Sequence, residues 1–253
     1  MKLGFKEEVS YRGSTLIRML LYLTFPLIMI SVWFAIYHSS GVTTLGQYSF
    51  KLMEEYLLFN IAIAIFFSMD LSENIAMGIS EGYIAKYLIK PMHVITQNIV
   101  FQIPGLIISC IPLIIAFSLI ISFGTQTLTI MLLFIVSLII GFLITQLLYF
   151  IVNIAAVYFT NVWGFHGIIN IFSDILGGLA VPLSLFPIGI QFIFLLSPFQ
   201  FLYYVPTSIL LGTINEAQAI SIIPIGLVWV MIFSIFAYVE WRHAIKRINA
   251  VGV

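Results

Sequence analysis

The stretch that most constrains the fold is residues 177–212, an almost wholly apolar run that is cut by four prolines. They are Pro182, Pro187, Pro198 and Pro206. Because proline lacks an amide donor and clashes with the preceding helical turn, each one bends or ends a helix. The pieces Ile188–Leu196 and Phe199–Leu211 are shorter than the roughly 20 residues that a membrane-spanning helix needs. We therefore expect re-entrant or interfacial helices, with a proline-bent hairpin that only packs as the alternative.

The rest of the chain is apolar as well. Hydrophobic residues make up 62% of the sequence and charged residues 8%, whereas a soluble domain has about 45–50% and about 25%. Several uncharged runs exceed the ~18 residues that indicate a membrane helix. We therefore expect one all-α integral membrane domain over residues 1–253. A net charge of zero gives no general attraction to nucleic acid, and Cys110 as the only cysteine excludes an intrachain disulfide.

Six helices are expected to cross the membrane, with two short re-entrant helices between the fifth and the sixth at about residues 187–212. The predicted crossings are Thr15–Tyr37, Leu52–Met69, Ile95–Phe123, Leu128–Phe159, Gly167–Leu185 and Ala219–Trp241. Nine of the ten Lys and Arg residues fall on one side of this arrangement, and only Lys51 falls on the other. Cytoplasmic loops carry an excess of Lys and Arg. Both termini and the loop at about residues 70–93 are therefore expected in the cytoplasm.

That loop, residues 70–93, is the only long charged segment inside the sequence. Four apolar residues follow one another at a spacing of four: Ile75, Ile79, Tyr83 and Tyr87. This spacing places them on one face of a helix, and Glu81 and Lys90 lie off that face. Gly78 and Gly82 weaken a continuous helix, so two short helices are an equal alternative. The apolar face either docks into a groove of a cytoplasmic partner or lies on the inner leaflet, and the residues alone leave both open.

Asp174 is the one acidic residue deep in a predicted helix. It lies ~10 Å of helical rise beyond Gly167, in the inner half of the membrane or near its midplane. An ionisable group at that depth is a functional candidate. It could line a substrate cavity or meet Asn153 or Gln146 of the fourth helix. A purely structural hydrogen bond to a neighbouring helix is the alternative.

The sequence carries few signs of catalysis. The four histidines, His38, His93, His166 and His243, are scattered over different predicted loops without metal-ligand spacing, and a lone loop histidine is usually solvated. The chain has no nucleotide-binding P-loop and no GxSxG or HExxH motif. We therefore do not expect an enzyme.

Three stretches together resemble the permeases of type-2 ABC (ATP-binding cassette) exporters, in a small bacterial subfamily of unassigned substrate. They are EGYIAKYLIKP at 81–91, LGGLAVPLSLFP at 176–187 and SPFQFLYYVPTSILLG at 197–212. The resemblance implies six crossings with two re-entrant helices between the fifth and the sixth. It also implies that two permeases, identical or related, face each other among the lipids of the bacterial cytoplasmic membrane.

The resemblance further implies that each permease docks one cytoplasmic ATPase through the loop between helices two and three. ATP and Mg²⁺ would be bound by that ATPase, and this chain would hold no cofactor. The ATPase-coupling residues carried over are Ile75, Ile79, Glu81, Tyr83, Tyr87 and Lys90. Lys90 stands where the family more often has arginine, and lysine keeps the charge but not the bidentate geometry.

The resemblance also implies an outer gate within Ile188–Gly212, and its residues are expected to be Phe199, Tyr203 and Tyr204. The position of Asp174 deep in a predicted helix, within possible reach of Asn153, gives these two as the expected residues of the substrate path. The leading hypothesis is the membrane subunit of an exporter that moves a lipid, drug or peptide out of the cell while a partner hydrolyses ATP. The alternative is a membrane binding, immunity or sensor protein that does not transport. An intramembrane enzyme is a third possibility, which the missing motifs disfavour.

Overall fold

The computed structural model describes residues 12–68, 72–82, 94–123, 127–159 and 162–250. These residues are mostly helical, in agreement with the predicted all-α class. The exception is one short β-hairpin, in which Leu45 pairs with Tyr48.

The helices, numbered in chain order, are α1 Arg12–Ser40, α2 Phe50–Phe67, α3 Glu73–Ser80, α4 Val94–Phe123, α5 Leu128–Ile154, α6 Trp163–Gly177, α7 Ile188–Leu196, α8 Tyr204–Leu210 and α9 Glu216–Ala250. Short 3₁₀ turns lie at Ala155–Val157, Leu183–Leu185 and Pro198–Phe201. The two strands are β1 Thr44–Leu45 and β2 Tyr48–Ser49.

Two helical stretches of the described residues are long and apolar enough to cross a membrane, Leu128–Val157 and Glu216–Arg247. Two shorter apolar stretches, Thr24–Ser40 and Gly105–Ser118, belong to α1 and α4. Large apolar side chains lie exposed along the outside of these helices and of α6 and α7. Extended apolar surface of this kind faces lipid or another protein.

The fifth long helix differs from the prediction at both ends. α6 begins at Trp163 and ends at Gly177, whereas Gly167–Leu185 was predicted. Gly178 adopts a left-handed conformation with φ of 79°, which glycine supplies at the C-terminus of a helix. The apolar sequence continues past this point, so hydropathy alone extended the helix too far.

The proline-cut stretch is interrupted where the sequence predicted. α7 has the predicted bounds, Ile188–Leu196, and begins directly after Pro187. The second piece is divided, because Pro198 opens a 3₁₀ turn and α8 begins only at Tyr204. Pro206 lies in the first turn of α8, where a missing amide donor costs no helical hydrogen bond.

The last helix is longer than the predicted Ala219–Trp241. α9 begins at Glu216 because Asn215 and Gln218 cap it reciprocally. The backbone N–H of Gln218 donates to Oδ1 of Asn215 at 2.9 Å, and the backbone N–H of Asn215 donates to Oε1 of Gln218 at 3.1 Å. This pattern is a capping box, and it starts the helix three residues before the predicted Ala219.

The bundle is built around α5. This helix packs along α9 on one side and against α8 on another, while α8 also contacts α2. Every residue of α8 is buried. α1 and α4 pack against α2 on the outside. The short helix α8 is therefore a central element of the core, although its sequence is broken by proline.

Hydrogen bonds gather several chain turns at one end of the bundle, which we call the β-hairpin end. The Tyr37 hydroxyl donates to the Tyr48 carbonyl at 2.8 Å, and the Tyr48 hydroxyl lies 3.5 Å from Oγ1 of Thr213. The Thr127 hydroxyl donates to the Glu216 carboxylate at 2.8 Å. The end of α1 and the starts of α2, α5 and α9 therefore lie together. The opposite end, which we call the α3 end, carries α3 and the C-terminus of α5.

Asn60, a buried residue of α2, forms hydrogen bonds with the non-helical backbone after α6. Its Nδ2 donates to the carbonyls of Gly178 at 3.1 Å and Leu179 at 3.0 Å, and its Oδ1 accepts from the Thr207 hydroxyl at 2.6 Å. Tyr56 adds a bond from its hydroxyl to the Gly178 carbonyl at 2.5 Å. Non-helical backbone at membrane depth requires such internal partners.

Other carbonyls of the interrupted segment, residues 178–212, are paired in the same way. Ala180 accepts from the Trp33 indole at 3.1 Å, Leu196 accepts from the Trp229 indole at 2.9 Å, and Leu195 accepts from the Gln200 amide. Side chains of α1, α2 and α9, together with Gln200 of the segment itself, therefore supply the hydrogen bonds that the broken helices lack.

Replacing Asn60 by an apolar residue of similar size should destabilise the fold, because its hydrogen bonds are lost. Asn60→Leu leaves the Leu179 carbonyl and the Thr207 hydroxyl without these partners, and we expect it to lower the free energy of unfolding by about 2 kcal/mol. Unfolding of the purified chain in mild detergent by added dodecyl sulfate measures this. Leu58→Ala, at a position on the same helix that is 49% exposed, is the control. Equal stability of Asn60→Leu and the wild type would contradict the account.

Candidate functional site

A cavity of about 330 Å³ opens between α1, α2, α5, α6 and the interrupted segment. Ligand pockets typically have volumes of about 300–1,000 Å³, so this one is at the small end of that range. Its apolar wall includes Phe25, Ile61, Phe67 and Leu148. Ser68 lies where the cavity approaches the α3 end, and Leu179 and Leu202 bound it on the side of the β-hairpin end.

The polar side of the cavity comes from α6. Asn170, Ser173 and Asp174 follow a spacing of three and four residues, which puts them on one helix face. Ile171 and Ile175 lie on the exposed outer face of the same helix. α6 is thus amphipathic within an otherwise apolar bundle, and the polar stripe was readable from the sequence although only Asp174 was recognised.

Two tyrosines form hydrogen bonds with this polar face of α6. The Tyr203 hydroxyl, from the interrupted segment, donates to Oδ1 of Asp174 at 3.2 Å. The Tyr149 hydroxyl, from α5, donates to Oδ1 of Asn170 at 3.1 Å. Tyr203 can approach α6 because residue 177 is glycine; a Cβ there would lie only 2.8 Å from the Tyr203 ring. The cavity therefore combines one carboxylate with amide and hydroxyl groups.

Asn153, the other residue expected on the substrate path, is not among the residues that line this cavity. It is 1% exposed, its Nδ2 donates to the Ser72 hydroxyl at 2.8 Å, and its Oδ1 lies 2.9 Å from Nε2 of His166. The amide thereby links the start of α3 to α5 and α6. A role for Asn153 in transport stays a prediction.

The antiparallel register of α5 and α6 explains why Asn153 does not meet Asp174. Asn153 pairs with His166, and Tyr149, one turn earlier on α5, pairs with Asn170, one turn later on α6. The same register carries Asp174 to the level of Thr145, which also lines the cavity. Asp174 therefore lies about two helical turns away from Asn153.

His166 was expected to be a solvated loop residue, and this was wrong. Because α6 begins at Trp163, His166 lies in its first turn. It is half-buried, and its ring stacks on Tyr149 with ring centroids 5.4 Å apart.

The three residues expected at the outer gate occupy different environments. Tyr203 lines the cavity beside Asp174. Tyr204 is buried in the main core, and Phe199 is half-buried against that core. Only Tyr203 therefore joins the expected gate to the expected substrate path, and the gating role of all three stays a prediction.

The structure describes only part of the expected ATPase-coupling set. Ile75 is 1% exposed, and Ile79 packs beside it in a cluster formed with α5 and α9. This cluster includes Phe150 and Trp241, whose rings lie 5.8 Å apart. Any role of Ile75 in coupling therefore depends on its contacts with α5 and α9 and not on direct contact with a partner.

The end of α3 is exposed. The helix stops at Ser80, Glu81 is exposed, and Gly82 has φ of 78°. The first of the two short helices considered for this segment is therefore present. Tyr83, Tyr87 and Lys90 lie outside the described residues.

A family model described as "ABC-2 family transporter protein" matches residues 16–252. The chain belongs to the ABC-2 transporter family. It is a membrane protein and a transmembrane permease component of an ABC transporter, in a family that normally works with an ABC ATPase. Searches of curated proteins and of solved structures gave no match. The predicted family is thus confirmed.

The polar lining predicts that water enters this permease beside α6. In a Cys110→Ala background, Asn170→Cys points a thiol at the cavity, while Ile171→Cys points one to the outer surface, where residue 171 is 60% exposed. The thiolate is the form of cysteine that attacks such a reagent, and it forms in water and not in lipid. In membrane vesicles open to both faces, a charged methanethiosulfonate reagent should modify Asn170→Cys roughly tenfold faster. Equal rates at the two positions would show that the cavity is not aqueous.

Proposed function

We propose that this permease is the membrane subunit of an ABC exporter in the bacterial cytoplasmic membrane. One observation carries the proposal beyond the family match. A ligand-sized cavity with one carboxylate extends toward the α3 end and is bounded on the other side by the interrupted segment. This is the form of an inward-facing substrate path beneath an outer gate. Residues 1–253 act as one domain that supplies half of that path.

In the proposed topology, helices α1, α2, α4, α5, α6 and α9 are the six crossings, and α7 and α8 are the re-entrant helices within 187–212. The distribution of Lys and Arg supports a cytoplasmic position for the α3 end and both termini. The hydrogen bonds at the β-hairpin end support this arrangement, because they join turns that the topology puts together outside.

The proposed coupling runs from residues 70–93 into the bundle. A cytoplasmic ABC ATPase, which binds ATP and Mg²⁺, docks on this segment, in which Glu81 and Gly82 are exposed directly after α3. Ile75 and Ile79 tie α3 to α5 and α9, and Asn153 ties its start to α6 through Ser72 and His166. A displacement of α3 therefore shifts α6, which carries Asp174, relative to the interrupted segment.

The outward step is proposed to break the contact between Asp174 and Tyr203. This contact joins the moving helix α6 to a segment that α2 holds in place through Asn60. Opening it releases a hydrophobic or amphipathic substrate to the outer side. A second permease, identical or related, completes the path on the other side of the cavity, and membrane lipids cover the remaining apolar surface.

The docking surface can be tested with two matched charge reversals. Glu81→Lys alters the exposed residue after α3, and Lys51→Glu alters an exposed residue at the β-hairpin end. Charges at the rim of an interface govern association without supporting the fold. Glu81→Lys should lower the amount of ABC ATPase that co-purifies with the chain by about tenfold, while Lys51→Glu should leave it unchanged.

Two outcomes would contradict the proposal. Equal recovery of the ATPase with both variants would remove residues near Glu81 from the docking surface. Failure of the wild-type chain to bring down any ABC ATPase would favour the binding, immunity or sensor alternative.

A further inference from the structure

The charge on the described lining of the cavity has one sign. Among the described residues that line it, Asp174 is the only acid, and there is no Lys, Arg or His. The only ion pair within the described part of the chain, Lys51 with Glu55, lies in the first two turns of α2 at the β-hairpin end. A cavity with this lining attracts cations and repels anions.

We propose that this cavity binds an organic cation with an apolar body, such as a protonated amine or a quaternary ammonium amphiphile, and that Asp174 is its counter-ion. The inference rests on the proposed function only in naming this cation as the exported cargo. Binding itself requires no ATPase.

The hydrogen bonding of Asp174 supports this assignment. A carboxylate has sites for about four hydrogen bonds, and among the described residues it receives one, from Tyr203. A half-buried charge with so few partners is costly in a membrane domain unless an opposite charge accompanies it. An ammonium group in the cavity supplies that charge, whereas a neutral ligand does not and an anion adds repulsion.

The aromatic rings that line the cavity favour the same ligand. Phe25, Phe67, Tyr149 and Tyr203 all line the cavity. Aromatic faces attract cations through their quadrupoles, and quaternary ammonium ligands are recognised in this way. The aliphatic wall formed by Ile61 and Leu148 suits the apolar body of the same molecule. The lining thus provides one site for charge and one for hydrocarbon.

The volume limits the part of the ligand that can enter. About 330 Å³ is enough for a trialkylammonium group and one ring. Longer chains extend toward the α3 end, where Ser68 lies at the edge of the cavity. The site therefore selects the cationic head of an amphiphile more strictly than its tail.

Calorimetry on the purified chain in dodecyl maltoside, a detergent without charge, tests the proposal. The probes are benzyltrimethylammonium and benzylsulfonate, which share one ring and carry opposite charges. We expect the wild type to bind the ammonium and not the sulfonate. Asp174→Asn should weaken ammonium binding at least about tenfold, whereas Asp174→Glu should stay within about threefold of the wild type.

Two further variants act as controls. Glu55→Gln removes an acid outside the cavity and should leave binding unchanged. Asn170→Asp returns a carboxylate one turn away on the same face, and in the Asp174→Asn background it should restore part of the ammonium affinity. If Asp174→Asn does not fold, the comparison of the two probes on the wild type still decides.

The proposal is overturned if the wild type binds both probes alike, or if Asp174→Asn binds the ammonium as tightly as the wild type. These results are distinct from failure of the export proposal. Cation binding that depends on Asp174 in a chain that never brings down an ATPase would keep the site and reject export. ATPase association without charge preference would reject only the cation site.

Discussion

The fold depends on the hydrogen bonds that side chains of α2 donate to the non-helical backbone after α6. Each unpaired carbonyl in hydrocarbon costs several kcal/mol. This is comparable with the whole free energy of unfolding of a small protein. Asn60 and Tyr56 donate hydrogen bonds to the carbonyls of Gly178 and Leu179. Asn60 also accepts a hydrogen bond from Thr207 of α8. One side of α2 therefore fixes both ends of the interrupted segment and makes its proline breaks compatible with a membrane.

This anchoring also positions the cavity. Because the segment is fixed to α2, Tyr203 lies against Gly177 and reaches Asp174. The register of α5 and α6, set by the Asn153–His166 and Tyr149–Asn170 pairs, turns the polar stripe of α6 to the same space. The interruption of the helices and the chemistry of the cavity therefore have a common origin. The proposed transport step breaks the hydrogen bond by which Tyr203 of the anchored segment joins α6.

Local signals in the sequence predicted local structure well. Proline positions gave the bounds of α7, and apolar run lengths located the long helices to within a few residues, apart from the ends of α5, α6 and α9; α5 ends at Ile154 and not at the predicted Phe159. The end of α6 at Gly177 was missed because the apolar run continues, and the left-handed turn at Gly178 depends on partners from α2 that are more than a hundred residues away. The start of α9 was missed because its capping residues looked like a loop.

The cavity could be predicted only in part. Asp174 was recognisable because a charge in an apolar helix is rare, but its partner was not, since the sequence of α6 does not show that Tyr203 of the interrupted segment packs against it. Asn60 gave the same kind of signal, an amide among apolar residues, and was overlooked. Asn153 and His166 were assigned singly, whereas the structure joins them. Contacts between distant elements decide these roles, and a single sequence does not display them.

The central claim is that the interrupted segment enters the membrane from the β-hairpin end and returns to it, so that α9 makes the last crossing. Two single cysteines in a Cys110→Ala background test this, one at Gln218 near the start of α9 and one at Lys246 near its end, both exposed. A membrane-impermeant thiol reagent added to intact cells should label Gln218→Cys and not Lys246→Cys. Labelling of both positions from the same side would remove the last crossing and contradict the account.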